Sequence, residues 1–584
     1  MRAMNGVSVK PVGRCALGVF LLFTSILILS SAPARADSNA LAIVNFTGDI
    51  TNFNGMGVNV GQIETAQPTN HVDLPNQINV FSSSATTSAT NHATEVASAI
   101  IGSGPLDKGA ASGATLYSFG AGSADANYLT AYWLLATQSV GACKVINMSF
   151  GAAPVTATRT SSGGTNYTSY TQTFNPNGND TDSLTVDNVA ATKHVAFVKS
   201  AGNSGLAGTN SISDPGSAYN IIVVGAVSNT APGATTSVAD FSSRGYLSNG
   251  RSAVSLVAPG ADVSLAGIST SVFGTAGSTI VISNNLGAPT IIQSGSTFTF
   301  LGGAGPTQTP LTRINTNSGT SFAAPLVSGV IADMDQFAAT RLYSNAATDS
   351  RTVKAILMNT ATKLPGWGQG SVVGGTPGLQ GMMTGTVTQV RQPLDPSQGA
   401  GLLNANGAFT TLSGGQKSPT YIQTGLISIK NSTVPLTGWD FNQVSLNLSN
   451  LYQLTTRAAG TLAITLDWNR DVTTMGGTNV VLGMANLGLN LYSSADSQYT
   501  NTPLIAQSIS IVDNVEHLWF TNVAAAYYQF GVSYNGYSAA GGPTPGNEDY
   551  SIAWSFTDVP EPSAFLLAGL GATALWWRLR RRRT

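Results

Sequence analysis

The stretch Asn315-Thr316-Asn317-Ser318-Gly319-Thr320-Ser321-Phe322-Ala323-Ala324-Pro325 has the residue types and spacing for nucleophilic attack by a hydroxyl. Behind Ser321, the residues Val327, Val330, Ile331, Met334 and Phe337 recur at spacings of three and four. That period predicts one apolar face of a helix running to about Thr340. Pro325 belongs near the helix start, where its missing N–H would have had no intrahelical partner, so Ser321 falls at the N-terminus. There the free backbone N–H groups and the positive end of the dipole favour an oxyanion forming beside the hydroxyl. Gly319, Ala323 and Ala324 let a substrate backbone come close. Taken alone, the residues also fit an ordinary Ser/Thr N-cap ahead of a packed helix.

The string G-T-S-F-A-A-P over 319–325 resembles the nucleophile motif of subtilases, the subtilisin-like serine peptidases. The resemblance implies a histidine base, an acid that orients it and an asparagine oxyanion donor, all earlier in the chain. A short strand, Val58-Asn59-Val60-Gly61-Gln62-Ile63-Glu64-Thr65, ends in an acid and is similar to the stretch that carries the family's aspartate. Here the position is Glu64, with Ala66-Gln67 in place of the usual glycine and aliphatic residue; Asp49 and Asp73 are the reserve candidates. Asn91-His92-Ala93-Thr94-Glu95-Val96-Ala97 resembles the family's H-G-T-H-V-A-G, with Ala93 for glycine and Glu95 for the second histidine. It makes His92 the candidate base, at the start of a helix whose apolar face holds Val96, Ala99 and Ile100.

Val145-Ile146-Asn147-Met148-Ser149-Phe150-Gly151 matches the family's V-I-N-M-S-L-G strand, whose end pairs with substrate backbone as an exposed edge can. Val198-Lys199-Ser200-Ala201-Gly202-Asn203-Ser204-Gly205 reads as a buried strand emptying into a glycine-rich turn. The resemblance makes Asn203 an oxyanion donor, although an asparagine also suits a tight turn by itself. Ser149, Gly151, Gly202 and Thr320 are the expected substrate-binding positions. Segments around Asp214-Pro215-Gly216, Asp240–Gly245, Leu256–Gly260 and Gln398–Ala405 follow in the family's order, so the resemblance spans about residues 55 to 412. No G-x-S-x-G occurs, and the order acid, histidine, serine disfavours an α/β-hydrolase.

These side chains must be held by strands alternating with helices, which predicts an α/β fold: a subtilisin-like parallel sheet covered by helices on both faces. Glu64 and Asn203 fall just past strand C-termini, where such sheets place their sites. Two Ser/Thr/Gly-rich insertions interrupt the domain, near 152–185 and 264–314; the first reads as irregular surface, the second as a hairpin near the site. From about Ser418 helix signals vanish. Leu462/Ile464/Leu466/Trp468, Leu487/Leu489/Leu491 and Tyr528/Phe530/Val532/Tyr534 alternate with period two, predicting an all-β antiparallel sandwich over 418–557.

With 584 residues, 42% of them hydrophobic and 9% charged, the chain supports two well-buried cores under a polar, weakly charged surface. Residues 1–36 hold four basic and no acidic residues, and five arginines follow Trp577; without these nine the body has 17 basic against 27 acidic residues. A body charge of −10 excludes a nucleic-acid partner of the usual electrostatic kind.

Arg2, Lys10 and Arg14, an apolar run from Cys15 and then Ala34-Arg35-Ala36 read as a signal peptide over 1–36. Cleavage there leaves Cys143 alone, read as a small buried hydrophobe, and 37–54 as a short extension, too short for the folded inhibitory pro-domain common among subtilases. Residues 559–584 run from a Pro-Glu-Pro through an apolar segment to an arginine cluster and resemble the PEP-CTERM sorting signal. Its apolar part, as a helix of about 21 Å, is short of the roughly 30 Å hydrocarbon core.

The expectation is therefore a serine endopeptidase exported in a Gram-negative bacterium, held transiently at the inner membrane and processed by an exosortase-type enzyme. Its substrate would be a protein or peptide, and no cofactor or metal site is read, bound calcium being beyond this sequence. Glu64, Ala93 and Glu95 motivate the rival expectation, a catalytically inactive surface or extracellular-matrix protein on the same scaffold.

Overall fold

A computed structural model describes residues 36–558, except 82–88, 105–106, 138–141, 163–164, 229–235, 268–279, 285–289, 295–296, 302–312, 374–386, 425–426, 431, 500–501 and 540–543. The signal peptide and the C-terminal segment read from the sequence lie outside these residues. Among the described residues no helix is long and apolar enough to cross a membrane.

The α/β part is built on seven parallel strands: β1 (Asn59–Glu64), β2 (Gln77–Phe81), β3 (Thr115–Gly120), β4 (Val145–Met148), β5 (Ala196–Ser200), β6 (Ile222–Ser228) and β7 (Leu256–Ala261). Their spatial order is β2-β3-β1-β4-β5-β6-β7. Every residue of β4 and β5 is buried, as expected for strands covered on both faces. The pairings Ile63↔Met148 and Met148↔Lys199 bring the ends of β1, β4 and β5 to one level, so Glu64, Ser149 and Ser200 sit side by side at the sheet's C-terminal edge.

Five helices matter to the site: α1 (Asn91–Ile101), α2 (Asp125–Ala136), α3 (Thr181–Lys193), α4 (Thr320–Thr340) and α5 (Ser350–Thr360). The expected apolar face of α4 is there, but the helix is buried all round from Thr320 to Ala338 because strands cover one side and α1 the other. Asp333 and Asp335 are carried inside with it, and burial pushes both carboxyls up, Asp335 to about 7.

Both insertions depart from the expectation. The first contains an antiparallel hairpin, Val155–Ser162 with Thr165–Gln172, and its end is already α3, capped by Asp180 Oδ1 accepting from the Ser183 N–H. The second splits in two. Its flanks pair as a ribbon, Val263–Gly267 with Arg313–Asn317, that leads straight into α4; its middle adds Ile280–Asn284, Thr290–Ser294 and Thr297–Leu301 to the sheet edge beyond β2.

The C-terminal region is two sheets face to face. A four-stranded antiparallel sheet holds Thr437–Ser445, Asn547–Asp558, Gly460–Trp468 and Val515–Val523 in that order. A nine-stranded sheet covers one face of it. Two of the nine strands, Gly370–Val373 and Thr388–Gln392, come from residues the sequence assigns to the peptidase domain, so the sheets do not divide at residue 412. Leu462, Ile464, Leu466 and Trp468 point into the sandwich core as their alternation predicts. Thr465 and Asp467 between them are equally buried, against α5, where Lys354 Nζ meets Asp467 Oδ1 at 2.8 Å. Trp439 and Ala553 of the same sheet join the core of the α/β part.

Candidate active site

The end of β1 and the start of α1 are tied together by backbone and side-chain bonds. The Thr90 N–H donates to the Gln67 carbonyl, and Thr90 Oγ1 caps α1 by accepting from the Ala93 N–H. Gln62 Nε2 donates to the Ala93 carbonyl at 2.9 Å, and the Thr69 N–H to Thr94 Oγ1. His92 is thus held on a capped first turn, and its Nδ1–H donates to Glu64 Oε2 at 3.0 Å. Glu64 is buried, whereas the His92 side chain is 42% exposed and can be reached from solvent. The other Glu64 oxygen, Oε1, is buried with no hydrogen-bond partner, so the carboxylate's one side-chain bond goes to the imidazole. Burial by itself lowers the His92 pKa, but the charge and hydrogen bond of Glu64 and the charge of Glu95 outweigh it, and the net shift is upward.

Ser321 is the second residue of α4, in the first turn, where N–H groups have no intrahelical acceptor. Its backbone is gripped from β4: Ser149 Oγ donates to the Ser321 carbonyl at 2.9 Å and accepts from Asn147 Nδ2, while Ser328 Oγ donates to Asn147 Oδ1. The Ser321 hydroxyl donates to the Ser149 carbonyl at 3.3 Å and is not hydrogen-bonded to His92. Catalytic hydrogen bonds are often unmade until substrate binds. The His92 ring nevertheless lies against the same helical turn, 5.7 Å from the Phe322 ring between centroids.

Gly319 gives α4 no side-chain cap; Asn203 supplies one from 117 residues away. Asn203 Oδ1 accepts from both the Thr320 N–H and the Thr320 hydroxyl at 3.0 Å, which turns the Nδ2 amide outward. Asn203 is exposed, and its side chain bonds α4 rather than its own turn. Thr320 Oγ1 also accepts from the Gly202 N–H. The side chains of Thr320 and Ser149, two of the expected substrate-binding positions, are buried, and their hydroxyls brace Asn203, Gly202 and Ser321. Gly202 (φ 106°) and Gly151 remain on the accessible rims, Gly151 being exposed.

Thr90, Gln62 and Asn147 belong to the site without having been singled out for it, and so does Glu95, noted in the sequence only as a departure at the motif's second histidine. Only Thr90 had a readable signal, a threonine just ahead of an apolar helical period. Glu95 is buried and accepts from Asn317 Nδ2 at 3.0 Å, clamping the ribbon that leads to Ser321. The reserve acids lie elsewhere: Asp49 is exposed, and Asp73 turns to His71.

His71, Asp73 and Asp107 each offer a ligand atom within 4.8 Å of the others, the place among the described residues where a metal ion could be held. Both Asp107 oxygens are buried without a partner, and burial with the charge of Asp73 pushes this carboxyl up to about 7. Three side-chain ligands fall short of the six to eight oxygens calcium prefers. Cys143 is buried and its thiol is pushed up by burial, away from reactivity.

A family model described as the Subtilase family matches residues 55–396, and one described as the PEP-CTERM protein-sorting motif matches 558–583. No curated protein matches. Among solved structures the chain is similar to fervidolysin from Fervidobacterium pennivorans, a keratinolytic enzyme related to subtilisin, at 16% identity over 83% of this chain and 61% of that one, with a TM-score of 0.40. It is also similar to a protease of Pseudoalteromonas arctica PAMC 21717 (18% identity, 65% and 98% coverage, TM-score 0.37). A third is the self-cleaved protease domain of PatA (19% identity, 62% and 98% coverage, TM-score 0.38).

Proposed function

Because the chain belongs to the subtilase family, whose members are serine peptidases, we propose that it is an exported serine endopeptidase working through an acyl-enzyme. The observation that carries this reading is the Glu64–His92 hydrogen bond of 3.0 Å at the sheet edge, with the His92 ring against the helical turn that carries Ser321. With Nδ1–H committed to Glu64, the imidazole keeps its Nε2 lone pair free to take a proton.

Substrate entering the cleft displaces the Ser321 hydroxyl from the Ser149 carbonyl. Ser321 Oγ then attacks the scissile carbonyl carbon while His92 Nε2 takes the hydroxyl proton. The electron pair of the C=O bond moves to oxygen, and that oxyanion is met by Asn203 Nδ2 and the Ser321 N–H. Collapse of the tetrahedral species breaks the C–N bond as His92 returns the proton to the leaving amine. Water, deprotonated by His92, releases the acyl group by the same route.

A fluorophosphonate probe tests the reading. The wild type should be labelled at Ser321 and Ser321→Ala should not, with peptide hydrolysis lost in parallel; an unlabelled, folded wild type would favour the inactive-scaffold reading. The hydroxyl's bond to Ser149 in place of His92 joins the sequence departures at Glu64, Ala93 and Glu95 on that side.

The sorting-motif match at 558–583 supports export and processing by an exosortase-type enzyme, with transient anchoring at the inner membrane of a Gram-negative bacterium. Protein released by such a host should end near Pro560 to Pro562 by intact mass. Retention of Arg578 to Arg583 in released protein would refute this.

A further inference from the structure

The face of the four-stranded sheet that α5 covers is longer than the helix. Thr465 and Asp467, with Ala553 and Ser551 opposite them, are buried beside α5, where Ser551 Oγ donates to Thr352 Oγ1 and Lys354 meets Asp467. The helix stops at Thr360, and two further rows of the same face run on past its end. One row sets Thr437, Ser555, Ala463 and Trp519 directly opposite one another across all four strands; the other pairs Thr461 with Thr557. Leu462 and Phe556, which alternate with them, point into the sandwich core, so these six side chains share the outer face.

Over these rows lies a groove of about 670 Å³, inside the range of ligand clefts, about 300–1,000 Å³. Its opposite wall is the turn 361–367, together with Asn404 and the helix Ala405–Ser413 that it caps. None of Glu64, His92, Asn203 and Ser321 lines it. Among the described residues no carboxylate lines it either. Its one cation, Lys363, is already engaged, donating from Nζ to the Ala400 carbonyl and meeting His517 Nε2 at 3.0 Å. By contrast, the hydroxyls of Thr362, Thr437, Thr461 and Thr557 and the indole N–H of Trp519 are engaged by no other described residue, and all five residues are half-buried or exposed.

That inventory selects a class of ligand. A hydroxyl both donates and accepts, so a field of hydroxyls matches a partner that is itself rich in hydroxyls, and a groove whose one charge is already engaged does not select an ion. A sugar ring has an apolar C–H face inside a rim of hydroxyls; Ala463 and the indoles of Trp367 and Trp519 supply the apolar surface for the first and the threonines the partners for the second. A peptide would meet only side-chain tips here, because the backbones of Gly460–Trp468 and Asn547–Asp558 are paired on both sides within the sheet and offer no strand edge. We propose that this groove is a binding site for a neutral oligosaccharide, with Trp519 the aromatic contact and Thr437, Thr461 and Thr557 the hydroxyl partners.

The proposal does not rest on the peptidase reading, and the full-length Ser321→Ala protein, free of self-digestion, serves to test it. Calorimetry and tryptophan fluorescence are followed on adding hexamers of β-1,4-linked glucose, α-1,4-linked glucose or β-1,4-linked N-acetylglucosamine, beside a galacturonate hexamer and an uncharged hexapeptide. At least one neutral hexamer should bind at one site per chain and perturb the fluorescence. Trp519→Ala should weaken that binding by on the order of tenfold or more. The double variant Thr461→Val, Thr557→Val keeps shape and strand preference while removing two hydroxyls, and should also weaken it by on the order of tenfold, so a folding failure at Trp519 leaves the test decisive. No binding by any neutral hexamer, binding of the galacturonate or the peptide alone, or an affinity that survives the threonine variant overturns the proposal.

Discussion

Glu64 is one methylene longer than an aspartate, yet its Oε2 meets His92 Nδ1 at 3.0 Å because the Gln67–Thr90 bond sets where α1 begins relative to the end of β1. Glu64→Gln should keep the fold by circular dichroism while lowering kcat by roughly 10⁴, the scale of an amide that stabilises the wrong tautomer. Glu64→Asp should also lose activity, its carboxylate falling short of the ring. The upward shift at His92 has a sign that can be checked. The base must be neutral, so kcat/KM should rise with pH through a midpoint above the ordinary 6.5, and Glu95→Gln, which removes one raising charge, should move that midpoint down. The same linkage makes the pair's contribution to stability complete below the unfolded value and lost as pH rises through the folded one. For Asn203, →Ala should cut kcat by about 100-fold or more with KM little changed, because the lost bond forms in the transition state. Thr320→Val, which removes one holder of the amide but not the amide, should cost less.

Between elements, a buried ionic link joins α3 to the C-terminal sheets. The Arg470 guanidinium bonds Asp187 Oδ2 through Nε and Nη2, the exposed Asn179 through Nη1, and the Gly178 carbonyl, with Arg470 and Asp187 themselves buried. The Arg470 N–H donates to Asn220 Oδ1, and two backbone N–H groups, of Tyr219 and Asn220, complete the shell of Asp187. Arg470→Ala strands a buried carboxylate and should destabilise by about 3–5 kcal/mol in chemical denaturation. Arg470→Met combined with Asp187→Leu should recover much of that loss, since the charge left behind is the larger cost. Recovery absent from the double variant would mean the hydrogen bonds to Asn179 and Gly178 dominate.

For the whole molecule, α5 is the seam. Its polar positions Thr352, Lys354 and Asn359 meet Ser551, Asp467 and Ser555 of the four-stranded sheet, and Trp439 donates its indole N–H to the Leu412 carbonyl. Residues 36–416 alone would expose this face, leave Lys354 without Asp467, and strip Thr388–Gln392 of its partner strand Leu504–Ser508. Expressed by itself that segment should show weak near-ultraviolet circular dichroism and reduced fluorophosphonate labelling of Ser321. A truncated protein with native-like spectra and full labelling would show the C-terminal sheets to be separable.

Sequence alone determined the parts whose physics is local or carried by a motif. The period-3.6 run behind Ser321, the largely apolar strands at 145–148 and 196–200 and the period-two strands after 418 each bury a pattern that can be counted along the chain. The motif strings named Ser321, His92, Glu64 and Asn203; Glu64 and Asn203 lie at the C-terminal edge of the sheet, His92 and Ser321 on the first turns of α1 and α4. Tertiary structure decided what depends on partners distant in sequence. Thr320 and Ser149 became braces because Asn203 and Ser321 arrive beside them from more than 100 residues away. Asp467 and Thr465 read as solvent-facing positions of an alternating strand and are buried, since alternation reports that two faces differ and not what covers the second. Thr437, Ser555 and Trp519 lay unremarked in three separate strands; only the fold sets them in one row past the end of α5, because cross-strand register cannot be read from a residue's own neighbours.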